Sequence, residues 1–297
     1  MSEDSEDTMP HAALDATARS DNGAAETPTA YPTYRVAPGS SVDLSTIDPN
    51  ESEGYTGKAD VKPELKRHRK RIEELQARLY AEHQQSLLVV LQAMDTGGKD
   101  GAIRGVFEGV NPQGCEVTSF KQPSTEELDH DFLWRYHERT PRRGMIGIFN
   151  RSHYEDVLIV RVQSLVPAAV WEERYAAINA FEELLTRNRT MVLKFYLHIS
   201  KDEQQRRLQS RLNNPDKNWK FDPADLRQRE RWDNYTAAYE DAISRCSTAA
   251  APWHVVPANH KWYRNLVIAR TIASTLEAMD PHFPPPAPGL DKIIIPD

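Results

Sequence analysis

The stretch SLLVVLQAMDTGGKDG, residues 86–101, decides the fold. Its first nine residues, SLLVVLQAM, form a mainly apolar run rich in Leu and Val, as expected for a strand buried on both faces. The glycines and lysine that follow lead into a helical pattern over about 99–110. A phosphate loop needs glycines so that backbone amides can face an anion, a helix N-terminus behind them, and a lysine for the outer phosphates. All three stand in order here. The pattern G-x-x-x-x-G-K-[ST] is altered at both ends: Ala93 replaces the first glycine and Asp100 the magnesium-binding hydroxyl. A glycine-rich β–α turn with a solvated lysine is the plainer reading, but the strand before and helix after favour phosphate. Asp95 beside a polyanion calls for a cation, so magnesium is expected.

Working outward, four further runs read as buried strands: 116–121, 144–150, 190–200 and 253–258. Helical patterns separate them, over about 124–138, 170–188, 201–213, 223–246 and 261–279. A first helix begins at Pro63 and carries Leu65, Ile72, Leu75 and Leu79 on one stripe through Glu82. Short apolar strands alternating with helices imply an α/β fold with a parallel five-stranded sheet covered on both faces. Ligands in such sheets bind at the carboxyl ends of strands.

The chain has 297 residues, 39% hydrophobic and 27% charged, with a net charge of −7 and a mean hydropathy of −0.66. That balance suits a globular protein. Residues 1–60 hold 12 acidic and 3 basic side chains, so the other 237 residues stand at +2. The acidity is local and does not exclude a polyanionic ligand. Residues 1–55 read as a mostly disordered acidic tail, in which YPTYRVAPG (31–39) lies extended on the body. Residues 56–280 form the globular domain, and 281–297 a proline-rich tail whose three isoleucines dock on it. No run approaches the roughly 20 apolar residues of a membrane span. MSEDSEDTMP lacks the apolar core of a secretory signal. Cys115 and Cys246 stand far apart without metal-ligand spacing, so a reducing cytoplasmic setting is expected. Neither membrane nor nucleic acid is an expected partner.

The strand at 144–150 ends in Asn150 and continues as Arg151-Ser152-His153-Tyr154-Glu155-Asp156. Asn150 can offer a carbonyl to magnesium, and Arg151 a planar fork to transferring phosphate oxygens. Glu155 and Asp156 supply negative charge nearby. RSHYED also reads as an ordinary helix start, with Ser152 and Glu155 as a capping box. The residues alone leave both open.

Together LQAMDTGGKDGAIRGVFEGVNPQG, TSFKQPSTEELDHDFLWR and IGIFNRSHYEDVLIVRV resemble the polyphosphate kinase type 2 family. The similarity continues through LHISKDEQQRRLQSRLNNPDKNWKF, RQRERWDNYTAAYED and APWHVVPANHKWYRN, spanning roughly 60–275. The resemblance implies a phosphate-loop kinase-like three-layer fold with a helical lid, here about 201–225. It also implies Mg2+ and reversible transfer between inorganic polyphosphate and AMP, ADP or ATP. Association into a homo-oligomer through helices is implied as well. Asp95, Lys99 and Arg151 fall on the family's phosphate-loop and strand-end functional positions. Asn150 departs from members that extend diphosphates and carry Asp there; FNRSHYE resembles the subgroup that accepts both AMP and ADP.

Catalytic candidates are therefore Asp95, Lys99, Asn150, Arg151 and Arg211, with Asp95 and Asn150 as metal ligands. Gly97, Gly98, Lys99, Asp100, Gly101 and Arg104 are expected to bind phosphate. Arg207 and Arg211, four residues apart on one helix face, and Lys217 and Lys220 around Trp219 suit a lid closing over a phosphate chain. A solvated mixed-charge helix is the reading from composition; the resemblance reverses it. Lys121, Arg135, Glu155 and Asp156 are candidates for the nucleotide site, and His130, His153 and His198 are expected to be structural. KRHRKR (66–71) reads as a solvated helix face. Competing functions are an ATP-dependent nucleotide kinase resembling thymidylate kinase, and a non-catalytic polyphosphate-binding protein.

Overall fold

All seven residues of the first strand, β1 (Ser86–Gln92), are buried, which requires cover on both sides of the sheet. The computed structural model describes residues 32–296. Strands β2 (Cys115–Ser119), β3 (Ile146–Asn150), β4 (Thr190–His198) and β5 (Trp253–Pro257) complete a five-stranded sheet in the order β2-β3-β1-β4-β5. Every pairing is parallel; Leu87 lies opposite Ile146 of β3 and Met191 of β4. The chain leaves β1 toward one side and returns to its other side at β4, so the crevice at the carboxyl end of β1 is the switch point where α/β sheets hold ligands.

Helices α1 (Lys58–Glu82), α2 (Lys99–Val106) and α10 (Lys261–Met279) pack as one group. A second comprises α5 (Ile159–Val162), α6 (Ala168–Arg187) and α9 (Trp232–Cys246). The α1 stripe is legible in its buried residues Leu65, Ile72, Leu75 and Leu79. Among the described residues no helix is long and apolar enough to cross a membrane.

Several boundaries differ from expectation. α1 starts a turn earlier, at Lys58, because Asp60 accepts the Thr56 amide at 3.0 Å and stabilises the first turn; Pro63 lies inside the helix. α2 stops at Val106 rather than 110. The pattern over 124–138 resolves into two short helices, α3 (Thr125–Asp129) and α4 (Trp134–His137). α3 starts at a capping box, Ser124 with Glu127. The pattern over 223–246 divides at Arg231 into α8 (Pro223–Glu230) and α9; the lid region adds α7 (Lys201–Leu212).

The acidic tail is corrected in part: residues 33–39 lie extended on the body as expected, and ordered structure continues to 55 where disorder was expected. Residues 1–31 lie outside the described residues, but 33–55 form a strap fastened along the body. The Val36 amide donates to Trp253 O at 2.8 Å and the Val255 amide to Tyr34 O at 2.9 Å, which covers the outer edge of β5. Leu44 is buried at 2% exposure. Its amide reaches Glu240 at 2.8 Å, and Ile47 O meets His198 Nε2 at 3.0 Å. Main-chain bonds to distant side chains hold this strap, and they leave no period in the sequence. At the other end, Ile293, Ile294 and Ile295 are exposed and do not dock on this chain.

Candidate active site

The loop between β1 and α2 turns through two left-handed residues, Thr96 (φ 62°) and Gly98 (φ 99°). A Cβ on Gly97 would lie 2.4 Å from Ala93 Cβ and 2.8 Å from Met94 O, so only glycine fits there. Gly97→Ala is expected to cost about 1–3 kcal/mol and to lower the melting temperature, which calorimetry would check. Gly98 caps α2, whose first amides have no intrahelical acceptor and are left to meet an anion.

Lys99 is the first residue of α2, half-buried, with Nζ donating to Ala93 O at 3.2 Å. Burial, then the neighbouring Arg151 cation, pulls its pKa down to about 8 against the opposite pull of Asp95, Glu155 and Asp100. An anionic ligand would relieve both effects. A polyanion should therefore bind with proton uptake above pH 8, and its affinity should fall as pH rises through that value, up to about tenfold per unit. Calorimetry in buffers of different ionisation enthalpy reads this; binding without proton uptake at pH 9 would contradict it.

At the end of β3, Arg151 also adopts a left-handed backbone (φ 65°), a conformation costing on the order of 1–3 kcal/mol that is characteristic of functional sites. Its Nη2 donates to Asp95 Oδ1 at 2.9 Å. The other Asp95 oxygen, Oδ2, is buried without a partner among the described residues. Asn150 Nδ2 donates to Asp100 Oδ1 at 2.8 Å, and Lys220 of the lid reaches Asp100 Oδ2 at 3.5 Å. Asp100 thus links β3, α2 and the lid.

The segment after Arg151 sits on a buried cluster. His153 Nε2 lies 3.0 Å from Glu182 Oε1, Tyr154 donates to the same oxygen, and Lys194 Nζ pairs with Glu182 Oε2. His153 is structural, as expected. The capping box is absent: Tyr154 N meets Ser152 Oγ in a 3-10 turn, and Glu155 instead lines a small chamber with Asp95 and Arg151.

Asp95, Gly97, Gly98, Lys99, Asp100, Gly101, Arg104, Lys121, Asn150, Arg151, Arg207, Arg211, Lys217 and Lys220 all line one open cleft. Eleven basic against six acidic side chains surround it, in a body that totals only +2 beyond residue 60. The positive charge is focused where a polyanion would lie. Arg211 Nη1 donates to Lys220 O at 3.1 Å and Asp225 Oδ2 at 3.3 Å, holding α7 to the lid loop. Trp219, 77% exposed, carries Lys220 over its ring.

Three expected ligands have other work in this structure. Arg207 is 7% exposed and all five of its N–H donors end on protein oxygens, so none faces a phosphate. Arg135 donates to Lys121 O at 2.8 Å and pairs with Glu127 at 3.3 Å. Asp156 pairs with Arg174 at 3.0 Å and accepts from Tyr136 at 2.9 Å; burial lifts its pKa to about 6. Neither Arg135 nor Asp156 lines the cleft.

The sequence reading missed Arg264 and Lys261. Arg264 is 1% exposed, its Nη1 has no partner among the described residues, and a Cβ on Gly98 would sit 2.2 Å from that atom. Burial, then Arg207, pulls its pKa down to about 9, a cost an anion in the loop would offset. Both residues follow the carboxyl end of β5, and the strand-end rule would have found them.

The family model for Polyphosphate kinase 2 (PPK2) matches residues 55–284. The chain is 51% identical over 263 residues to the AMP/ADP-polyphosphate phosphotransferase of Meiothermus ruber, covering 88% of this chain and 98% of that one. It is 43% identical over 274 residues to the ADP-polyphosphate phosphotransferase of Rhodopseudomonas palustris, covering 88% and 95%. The crystal structure of polyphosphate kinase 2 from Arthrobacter aurescens TC1 superposes with a TM-score of 0.82 at 46% identity, over 86% of this chain and 91% of that one. With the family model matched over residues 55–284 and relatives at 51% and 43% identity covered almost end to end, the chain belongs to the polyphosphate kinase 2 family.

Proposed function

We propose that this protein transfers phosphoryl groups reversibly between inorganic polyphosphate and adenine nucleotides, AMP to ADP and ADP to ATP. The observation that carries the reading is the cleft: a phosphate loop facing an excess of arginine and lysine across one open cavity. The Meiothermus ruber relative, named for AMP and ADP together, supports both acceptors.

The attacking group, a nucleotide phosphate oxygen, is already anionic, so no strong base is needed and Asn150 in place of an acid is tolerable. Positioning and charge stabilisation then supply most of the rate. In this reading Lys99 and the α2 amides hold the phosphates. Arg151, steadied by Asp95, and Arg211 stabilise charge on the transferring group. Arg104, Lys217, Lys220, Lys261 and Arg264 line the path of the phosphate chain, and α7 to α8 close over it to exclude water. Lys121 and Glu155 face the nucleotide.

A magnesium ion fits the residues present. Asp95 Oδ2 is a buried anionic oxygen without a hydrogen-bond partner. The Asn150 amide, its nitrogen spent on Asp100, has its oxygen left to coordinate. Among the described residues no three acidic, His or Cys side chains converge, so phosphate oxygens and waters would complete the six-fold shell. Asp95 and Asn150 would hold the ion, which when bound neutralises charge on the transferring phosphoryl group.

Supplying AMP alone and ADP alone with long-chain polyphosphate tests acceptor range. Product from both is expected; product from ADP only would restrict the reading to diphosphates.

A further inference from the structure

Arg207 spends its whole guanidinium inside the protein. Nη1 donates to Thr96 O at 3.2 Å and Gly97 O at 3.0 Å; Nη2 donates to Ala258 O at 2.6 Å and Asn259 O at 3.1 Å. Nε donates to Glu203 Oε1 at 2.6 Å. One planar fork therefore spans the phosphate loop and the carboxyl end of β5. A trans peptide sets its N–H opposite its C=O, so drawing Gly97 O toward α7 aims the Gly98 amide the other way, into the cleft.

Asn259 continues the chain of contacts outward. Its amide donates to Pro49 O at 3.1 Å, and its side-chain Nδ2 donates to Asn50 Oδ1 at 2.8 Å. Its Oδ1 accepts from the Ser200 amide at 3.0 Å. Ser200 caps α7 by accepting from Glu203 N at 3.1 Å, and Glu203 is the carboxylate that holds Arg207. The strap thus meets Asn259, an acceptor of the arginine, directly, and reaches its anchor Glu203 only through Asn259 and Ser200.

We infer that the strap, residues 33–55, positions the phosphate loop through Asn50, Asn259 and Arg207, with Arg207 acting as a positioning residue and not a phosphate ligand. The inference rests on the proposed transfer only for its kinetic readout. Its direct readout is amide hydrogen exchange, which needs no activity.

The test uses the full chain, as wild type, Asn50→Ala, Arg207→Lys and the double variant. Lysine keeps the charge but loses the planar five-donor fork. With polyphosphate and ADP, Arg207→Lys is expected to lower kcat about a hundredfold while KM for polyphosphate stays within about threefold. Asn50→Ala, which removes a bond at the surface, is expected to lower kcat about fivefold, again at nearly constant KM. The double variant should lose no more than Arg207→Lys alone, because both changes break one linkage.

In the same variants, exchange should quicken in the segments 96–102 and 258–260, as measured by mass spectrometry well below the melting temperature. A raised KM with unchanged kcat in Arg207→Lys would make Arg207 a phosphate ligand and overturn the inference. So would Asn50→Ala with wild-type kcat and wild-type exchange; that variant also decides the matter if Arg207→Lys fails to fold. Wild type that transfers nothing, with Asn50→Ala still quickening exchange at 96–102, would sink the functional reading and leave the positioning intact.

Discussion

Lys99→Ala is expected to lower phosphoryl transfer by roughly a thousandfold, the upper range for losing one preorganised charge at a transition state, without loss of fold. Lys99 begins α2, and its nitrogen rests on Ala93 O at 3.2 Å, inside the curve of the loop. Arg264 and Arg151 approach the same cleft from other elements, but neither starts from the helix that presents the loop amides. The stability side has a definite sign. A lysine whose folded pKa is pulled below its ordinary value is disfavoured as a cation in the folded state. At neutral pH it therefore subtracts from stability. Its removal should leave the melting temperature unchanged or slightly raised. Steady-state kinetics with thermal unfolding check both halves; near-normal turnover would remove Lys99 from the mechanism.

Asp95→Asn is expected to lower kcat by about a hundredfold to a thousandfold and to raise the magnesium concentration for half-maximal rate. The change keeps the shape and removes the charge. It takes the anionic partner from Arg151, now at 2.9 Å, and replaces the unpartnered Oδ2 with either an amide oxygen or an amide N–H. Both proposed effects share one atom group, so they should appear together in a magnesium titration. Lost activity at unchanged magnesium requirement would leave Asp95 as the support of Arg151 and move the ion elsewhere.

Four of the strands were legible as short apolar runs between turn residues, because burial on both faces leaves few polar residues to blur them; β2, also expected to be buried, is instead an edge strand with Glu116, Val117 and Ser119 exposed. The loop was legible for a similar reason, since Gly97 has steric room for nothing else. Longer-range features were not. Arg207 reads as a lid arginine beside Arg211, four residues on, yet α7 turns it into the interior, where Glu203, Thr96, Gly97, Ala258 and Asn259 take every donor. Arg135 and Asp156 were drawn to Glu127 and Arg174 in the same way. Side-chain direction, not residue type, decided these.

The basic run on α1 shows the same limit from the other side. Arg69 donates to Gly105 O and pairs with Glu108 of the segment after α2, while Arg71 pairs with Glu277 of α10. Part of that run is therefore a seam between helices, where a solvated face was expected. The strap was illegible because its anchors, Glu240, His198 and Asn259, lie some 150 to 210 residues away in sequence.

The claim beneath all of this is that the phosphoryl group comes from inorganic polyphosphate. Incubating the protein with ADP, magnesium and polyphosphate labelled in its terminal phosphate, with no other donor present, tests that most directly. Label recovered in the γ-phosphate of ATP, one for each terminal phosphate lost from the chain, is the predicted result. Label found only in free phosphate, or left on a polyphosphate that binds and is not shortened, would contradict the account.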